Sequence, residues 1–305
     1  MTSDALNARQ IHLVAPKNNR KKITPQQVLG EVLKYLLLII LSVTYLLPLY
    51  WMAISGLKTE SQVFRIPPVW WPDPARWVNY IEAWQVDNFN LYLFNTVVRY
   101  AIPFVFGVLI SNTLVAYSFG RLRWPGRDAL FAVCLTTLMI PAQVTMVPLF
   151  IIFKWLGWVN SYKPLIIPAY FANAYWIFML RQFFRTIPDE LSDAARIDGA
   201  DEFQTLWHII LPLVKPALAV VGLFSFMDAW NNYMGPLIYI NQSNLYPLSL
   251  GLASLSASLS QVGIKGLAYP YLMAVSTLVT LPIIIIFFFT QRTFIEGIAL
   301  TGLKG

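Results

Sequence analysis

The sequence predicts an all-α polytopic membrane protein with six transmembrane helices and cytoplasmic N- and C-termini. Three observations carry this expectation. Hydrophobic residues make up 57% of the 305-residue chain and charged residues only 12%, where a soluble domain carries about 25% charged residues. Continuous apolar runs long enough to span a bilayer recur along the chain. Lys and Arg divide unevenly between the segments that join those runs.

The runs fall at residues 33–55, 93–119, 129–153, 165–180, 217–239 and 271–289. A bilayer core needs ~20 residues of helix. The runs do not alternate with polar residues, and only helices or closed barrels satisfy their backbone in lipid, so each is read as a helix. The fourth is the shortest, with Pro164 before it and Pro168 inside it. The first starts too late and runs too long for a cleaved leader and is expected to remain as a span. With the N-terminus inside, the inner segments 1–34, 119–128, 181–215 and 291–305 hold 15 basic residues and the outer ones hold 7. This places both termini in the cytoplasm.

The expected organisation is therefore a cytoplasmic N-terminal tail (1–32), a six-helix transmembrane domain (33–290) and a cytoplasmic C-terminal tail (291–305). The tail carries Lys17, Arg20, Lys21 and Lys22. The outer loop 57–91 is rich in Pro and Trp, as suits a segment at headgroup level. The net charge of +7 is spread among loops and follows the positive-inside rule, so no nucleic-acid partner is expected. The single cysteine, Cys134, excludes a disulfide within the chain.

The inner segment 181–215 holds the most information. Pro188 suits the first turn of a helix, and Asp189 and Glu190 complement its positive end. Leu191, Ala194, Ala195 and Asp198 share one face, and Gly199 then ends or bends the helix. Phe203, Leu206, Trp207 and Ile210 line one face of a second helix, which is expected to tie the loop to the bundle. The alanine face of the first helix is expected to let another protein approach closely. Six acidic against four basic residues in this segment argue against a helix lying on an anionic leaflet.

Asp193-Ala194-Ala195, Asp198-Gly199-Ala200 and Ile209-x-Leu211-Pro212 resemble the EAA loop of ABC importer permeases, with Asp193 where that family usually has Glu. Residues 117–126 (Tyr-Ser-Phe-Gly-Arg-Leu-Arg-Trp-Pro-Gly), 140–148, 178–191, 230–233 (Trp-Asn-Asn-Tyr) and 236–237 resemble carbohydrate permeases of the maltose-transporter type. The ending, residues 300–305, is similar to the G subunit of that type. The resemblance implies the maltose-type importer fold in the cell (inner) membrane of a bacterium or archaeon. It implies a second permease, two ABC ATPase subunits that hold ATP and magnesium, and an extracytoplasmic substrate-binding protein. It implies an ATPase-docking loop made of Glu190, Leu191, Asp193, Ala194, Ala195, Asp198, Gly199, Ala200 and Phe203. Gly302, Lys304 and Gly305 would reach between the ATPases.

No G-x-x-x-x-G-K-[ST] phosphate loop is present. His12 and His208 have no second ligand at metal spacing. Neither catalysis, a bound cofactor nor a metal is expected in this chain. Polar residues inside spans mark candidate pathways. Asp228, Trp230, Asn231 and Asn232 combine aromatic faces with amide and carboxylate groups, as a sugar requires, or else they brace the outer helix end. Asn112, Thr113 and Gln143 are weaker candidates, and Arg99 is expected to reach the outer interface. The rival reading is a stand-alone secondary transporter or channel. The nearly charge-free span interiors and the absence of a visible repeat speak against it.

Overall fold

A computed structural model describes residues 25–262 and 268–302. Among them the regular structure is entirely helical. Helix α1 is Pro25–Gly56. Residues up to Tyr50 form one compact unit and those from Trp51 onward a second. In the first unit α1 is apolar all round, and side chains such as Ile39 and Tyr45 are 62% and 80% exposed. Such a surface is compatible with lipid, not with water.

The second unit opens with the last turns of α1 and continues through the 57–91 segment, which carries helix α2, Val78–Gln85. Helix α3, Phe89–Arg121, is the long apolar axis of this unit. It carries a π-helical stretch at Asn95–Ala101. Helices α4, Arg127–Thr136, and α5, Ala142–Trp155, follow. Short turns at Lys163–Ile166 and Ile167–Phe171 lead to α6, Ala174–Phe184. The inner loop contributes α7, Asp189–Ile197, and α8, Glu202–Leu213, the latter π-helical over Thr205–Ile210. Then come α9, Lys215–Asn231, α10, Met234–Tyr239, α11, Leu248–Val262, and α12, Ala268–Gly302.

Among the described residues three helices are long and apolar enough to cross a membrane: Val28–Gly56, Phe89–Arg121 and Tyr269–Gln291. The third expected run is bent by 95° between Arg127–Met139 and Ala142–Trp155. The cause is Pro141, which cannot continue the ladder and holds extended backbone at φ −60°, ψ 134°. The fourth run is broken as well. Its 3-10 turn ends at Ala172, whose φ of +62° no helix accepts, and α6 restarts behind an Asn173 N-cap. The fifth run stops at Asn231 and resumes as α10 after Tyr233. A bend of 80° also separates Glu202–Leu213 from Lys215–Asn231.

Helix α3 packs against α6, α9 and the Ile167–Phe171 turn, while α12 packs against α2, α9 and α11. One buried cluster, including Val108, Tyr117, Leu180, Phe184, Ile210 and Val221, joins α3, α6, α8 and α9. A second, including Phe89, Tyr92, Trp230, Leu248 and Val275, joins α3, α9, α11 and α12. The two clusters are thus linked through α3 and α9, which contribute to both.

Candidate functional site

The inner loop folds as two helices around a glycine. Asp189 and Glu190 occupy the first turn of α7, where carboxylates complement the helix dipole, and Arg196 occupies the last. Gly199 takes φ +82°. Its N–H donates to the Arg196 carbonyl at 3.1 Å, and Ala200 N–H donates to the Ala195 carbonyl at 2.9 Å. This double closure is a Schellman ending. Asp201 then caps α8, its side chain accepting from Gln204 N–H at 2.7 Å while Gln204 Oε1 accepts from Asp201 N–H at 3.0 Å.

A buried arginine fixes this unit to the bundle. Arg121, at the end of α3, donates to the Ile187 carbonyl at 2.6 Å, the Pro188 carbonyl at 3.0 Å and Ser192 Oγ at 2.7 Å. It also pairs with Asp189 at 2.9 Å. Its side chain is 3% exposed, so these partners replace the water it has lost. Tyr117, one turn earlier, donates to Glu202 at 2.9 Å. Arg196 bridges Glu202 at 2.9 Å and Asp193 at 2.8 Å. The Glu202 hydrogen bond holds the Arg196 guanidinium above its usual value, so it stays charged. A neighbouring tie comes from Arg181 of α6, which donates to the Phe119 carbonyl at 3.0 Å and lies over the Phe131 ring. A polar cavity of ≈ 530 Å³ lies between the end of α3 and α7, lined by Arg121, Arg123, Asp189, Asp193, Arg196 and Glu202 among others.

The expected docking residues divide. Glu190, Leu191, Asp193, Ala194, Asp198 and Gly199 are exposed. Ala195 is 3% exposed, against the chain's own bundle, so the alanine face is not one open surface: Ala194 points out and Ala195 in. Ala200 is half-buried. The second helix departs from its expected face too. Leu206 and Ile210 are buried, but Phe203 and Trp207 are 64% and 60% exposed and stack at 6.3 Å. The π-helical turn widens the helix and takes these positions off a common stripe. Gly302 is the last described residue of α12, and Lys304 and Gly305 lie outside the described residues.

The polar residues of α9 divide in the same way. Trp230 is 4% exposed and packs in the core. Asn232 donates to the Tyr100 hydroxyl at 2.7 Å, and its Oδ1 accepts from Gly235 N–H at 3.0 Å. These two brace the helix end. Asp228 and Asn231 are exposed and line a recess of ≈ 540 Å³ with Asn173, Tyr175, Trp176, Phe224 and Met227. Asn112 is buried and accepts from Asn173 N–H at 2.7 Å, so it fixes the rim of that recess from α3. Thr113 is buried and Gln143 exposed. Arg99 donates to Asn95 at 3.0 Å and lies over the Phe94 ring. Among the described residues no group of His, Cys, Asp or Glu could hold a metal ion.

Sequence reasoning missed Arg121, Tyr117, Ser192, Arg196 and Glu202 as a network, and Asn173 and Tyr175 as recess residues. A signal for the first existed, because Tyr117 and Arg121 fall inside the motif at residues 117–126.

An all-helical bundle with several apolar helices of membrane length is the architecture of a polytopic membrane protein. The chain belongs to the family of binding-protein-dependent transport system inner membrane components, whose profile matches residues 112–299. It is therefore the permease component of an ABC importer, a membrane subunit with no catalytic activity of its own. It is 31% identical to a probable ABC transporter permease protein, YurM, of Bacillus subtilis, over 91% of this chain and 90% of that one. It is 31% identical to the arabinooligosaccharides transport system permease protein AraQ of the same organism, over 92% and 99%. It is 32% identical to the sn-glycerol-3-phosphate transport system permease protein UgpE of Yersinia enterocolitica, over 88% and 95%. In fold it matches a chain of a crystal structure of a bacterial ABC transporter involved in import of the acidic polysaccharide alginate, with TM-score 0.78 and 23% identity over 88% and 98%.

Proposed function

We propose that this chain carries a carbohydrate, as a sugar, oligosaccharide or polyol phosphate, across the cell membrane of a bacterium or archaeon. It does so with a second permease, two ABC ATPase subunits that hold ATP and magnesium, and an extracytoplasmic substrate-binding protein. We read six spans with both termini cytoplasmic; the bent pair Arg127–Met139 and Ala142–Trp155, the broken fourth run, and α9 with α10 each complete a crossing. The observation that carries the reading is the exposed face of Asp189–Ile197, rooted through Arg121 in the end of a membrane-length helix. A helix held in that way transmits displacement and does not merely cover a surface.

Glu190, Leu191, Asp193, Ala194, Asp198 and Gly199 form the docking face, Phe203 and Trp207 its aromatic edge, and Ala195 and Ala200 its footing. Gly302, Lys304 and Gly305 approach the ATPases from the C-terminal tail. Closure of the ATPase dimer shifts α7, Arg121 passes that shift to α3, and the recess beside Asp228 and Asn231 changes its access. For ATP and binding protein to drive the cycle, each must favour one bundle state over the other. The test is reconstitution with the partner subunits: saccharide uptake that requires ATP and the binding protein supports the reading, and uptake by this chain alone overturns it.

A further inference from the structure

We infer that the recess at the end of α9 is a saccharide subsite on this chain, and that Asp228 makes it selective for neutral polyhydroxylated sugars over anionic ones. The inference deepens the importer reading above and rests on it for the carbohydrate class.

The recess has the parts such a ligand needs. Tyr175 is 50% exposed on its wall and braced edge-on by the buried Trp176 at 4.8 Å. A rigid aromatic face beside polar groups suits a sugar ring, apolar on one face and ringed by hydroxyls. Asp228 and Asn231 stand three residues apart on α9, hence on one side of the helix. Asn231 uses its amide nitrogen on the Met227 carbonyl at 2.9 Å, so its oxygen is the acceptor offered to a hydroxyl. Asp228 is the charged residue of the lining, and no Lys, Arg or His joins it there. A carboxylate accepts from sugar hydroxyls but repels a uronate or phosphate.

The wall is held in place. Asn173 caps α6 by accepting from Tyr175 N–H at 2.9 Å, and its own N–H is bound by Asn112. Ser111 Oγ donates to the Ala169 carbonyl at 2.8 Å just before the break. Ala172, at φ +62° and ψ 164°, occupies backbone space that alanine enters only under constraint, and such strain gathers at ligand sites. The recess also stands at the correct place along the chain. Asp228 lies ~20 Å along α9 from Lys215 at 1.5 Å per residue, at the opposite end from the docking loop. Helix α6 packs against α9 and runs from Asn173 at the recess to the inner loop, so both walls lead there.

The test is direct binding to the purified full-length chain, with the partner subunits that co-purify, in lipid nanodiscs without binding protein. The probes are neutral pentose and hexose trisaccharides, a uronate trisaccharide and glycerol phosphate. The better neutral trisaccharide should bind at least about tenfold more tightly than either anion. Tyr175→Ala should weaken it about tenfold, Asp228→Asn should narrow the discrimination, and Asp228→Lys should reverse it, each with a wild-type melting temperature. Equal affinity for neutral and anionic probes, no neutral binding, or affinities unmoved in Tyr175→Ala and Asp228→Asn overturns the inference. ATP hydrolysis by the same preparation reads the importer assignment separately. Normal coupling with unmoved affinities removes the subsite alone, and selective binding without a recruited ATPase removes the importer reading alone.

Discussion

Arg121 Nη2 donates to Ser192 Oγ at 2.7 Å, joining residues 71 positions apart. With the Ile187 and Pro188 carbonyls, this ties the end of α3 to the start of α7 through one guanidinium. Hydrogen bonds to a charged group contribute about 1.5–3 kcal/mol each. Arg121→Met is therefore expected to uncouple the complex: uptake falls about tenfold or more while ATP hydrolysis continues, and Arg121→Lys lies between. The ratio of substrate moved to ATP hydrolysed in proteoliposomes checks this. A parallel fall of both would show that the arginine only stabilises the fold.

Ala194 and Ala195 are neighbours with opposite surroundings, one exposed and one 3% exposed. Ala194→Arg should keep the melting temperature and lose the co-purifying ATPase. Ala195→Arg should lose both, because a charge enters the chain's own packing. Equal behaviour of the two variants would contradict the placement of the helix.

Asn112 accepts from Asn173 N–H at 2.7 Å and donates to the Val108 carbonyl at 2.7 Å. Asn112→Leu fills the volume and strands the Asn173 N–H. The expected cost is about 1–3 kcal/mol, visible as a lower melting temperature in detergent. A variant as stable as the wild type would mean that the Asn173 N–H finds another acceptor.

Lys58, two residues past the C-terminal end of α1, is fully buried, with its amine over the Trp51 ring at 3.7 Å and no hydrogen-bond partner among the described residues. Burial lowers its pKa from the ordinary 10.5. For a cation, a lowered folded-state pKa costs stability, fully below that pKa and progressively less as pH rises towards the unfolded value. Lys58→Met should therefore melt about 2–4 °C higher at neutral pH, and its advantage should shrink as pH approaches 10.5. Melting curves across that interval decide it, and a variant that melts lower at neutral pH would show that the cation–π contact outweighs the burial.

The helical, lipid-compatible nature of the chain was legible because hydropathy reports solvent, and the runs at 33–55, 93–119 and 271–289 fall on membrane-length helices. Hydropathy does not report direction. The bends at Pro141 and Ala172 sit inside stretches as apolar as the straight ones, and there backbone geometry decides. In the loop, the Gly199 ending was legible from local chemistry, since glycine is the residue that most readily takes the left-handed conformation of a Schellman close. The inward turn of Ala195 was not, because alanine suits a buried and an exposed face equally. Arg121 escaped notice for another reason: its partners lie 66 to 71 residues away, and no spacing rule reaches that far. At the recess, Asp228 and Asn231 showed as polar residues in an apolar run. Their separation from Trp230 and Asn232 depended on which neighbours the fold supplied.

The π-helical stretch Asn95–Ala101 sets the rotational phase of α3. Each residue advances a helix by about 100°, so removing one residue there would turn everything beyond it by that angle. Asn95 donates to the Asn244 and Tyr246 carbonyls, and Thr96 Oγ1 accepts from Leu248 N–H, while the far end of the same helix presents Arg121 to the loop. The wide turn keeps two clocks on one shaft in step. A single-residue deletion would leave α3 only one residue shorter and as apolar as before, yet it would make the Asn95 and Thr96 bonds and the Arg121 clamp mutually exclusive.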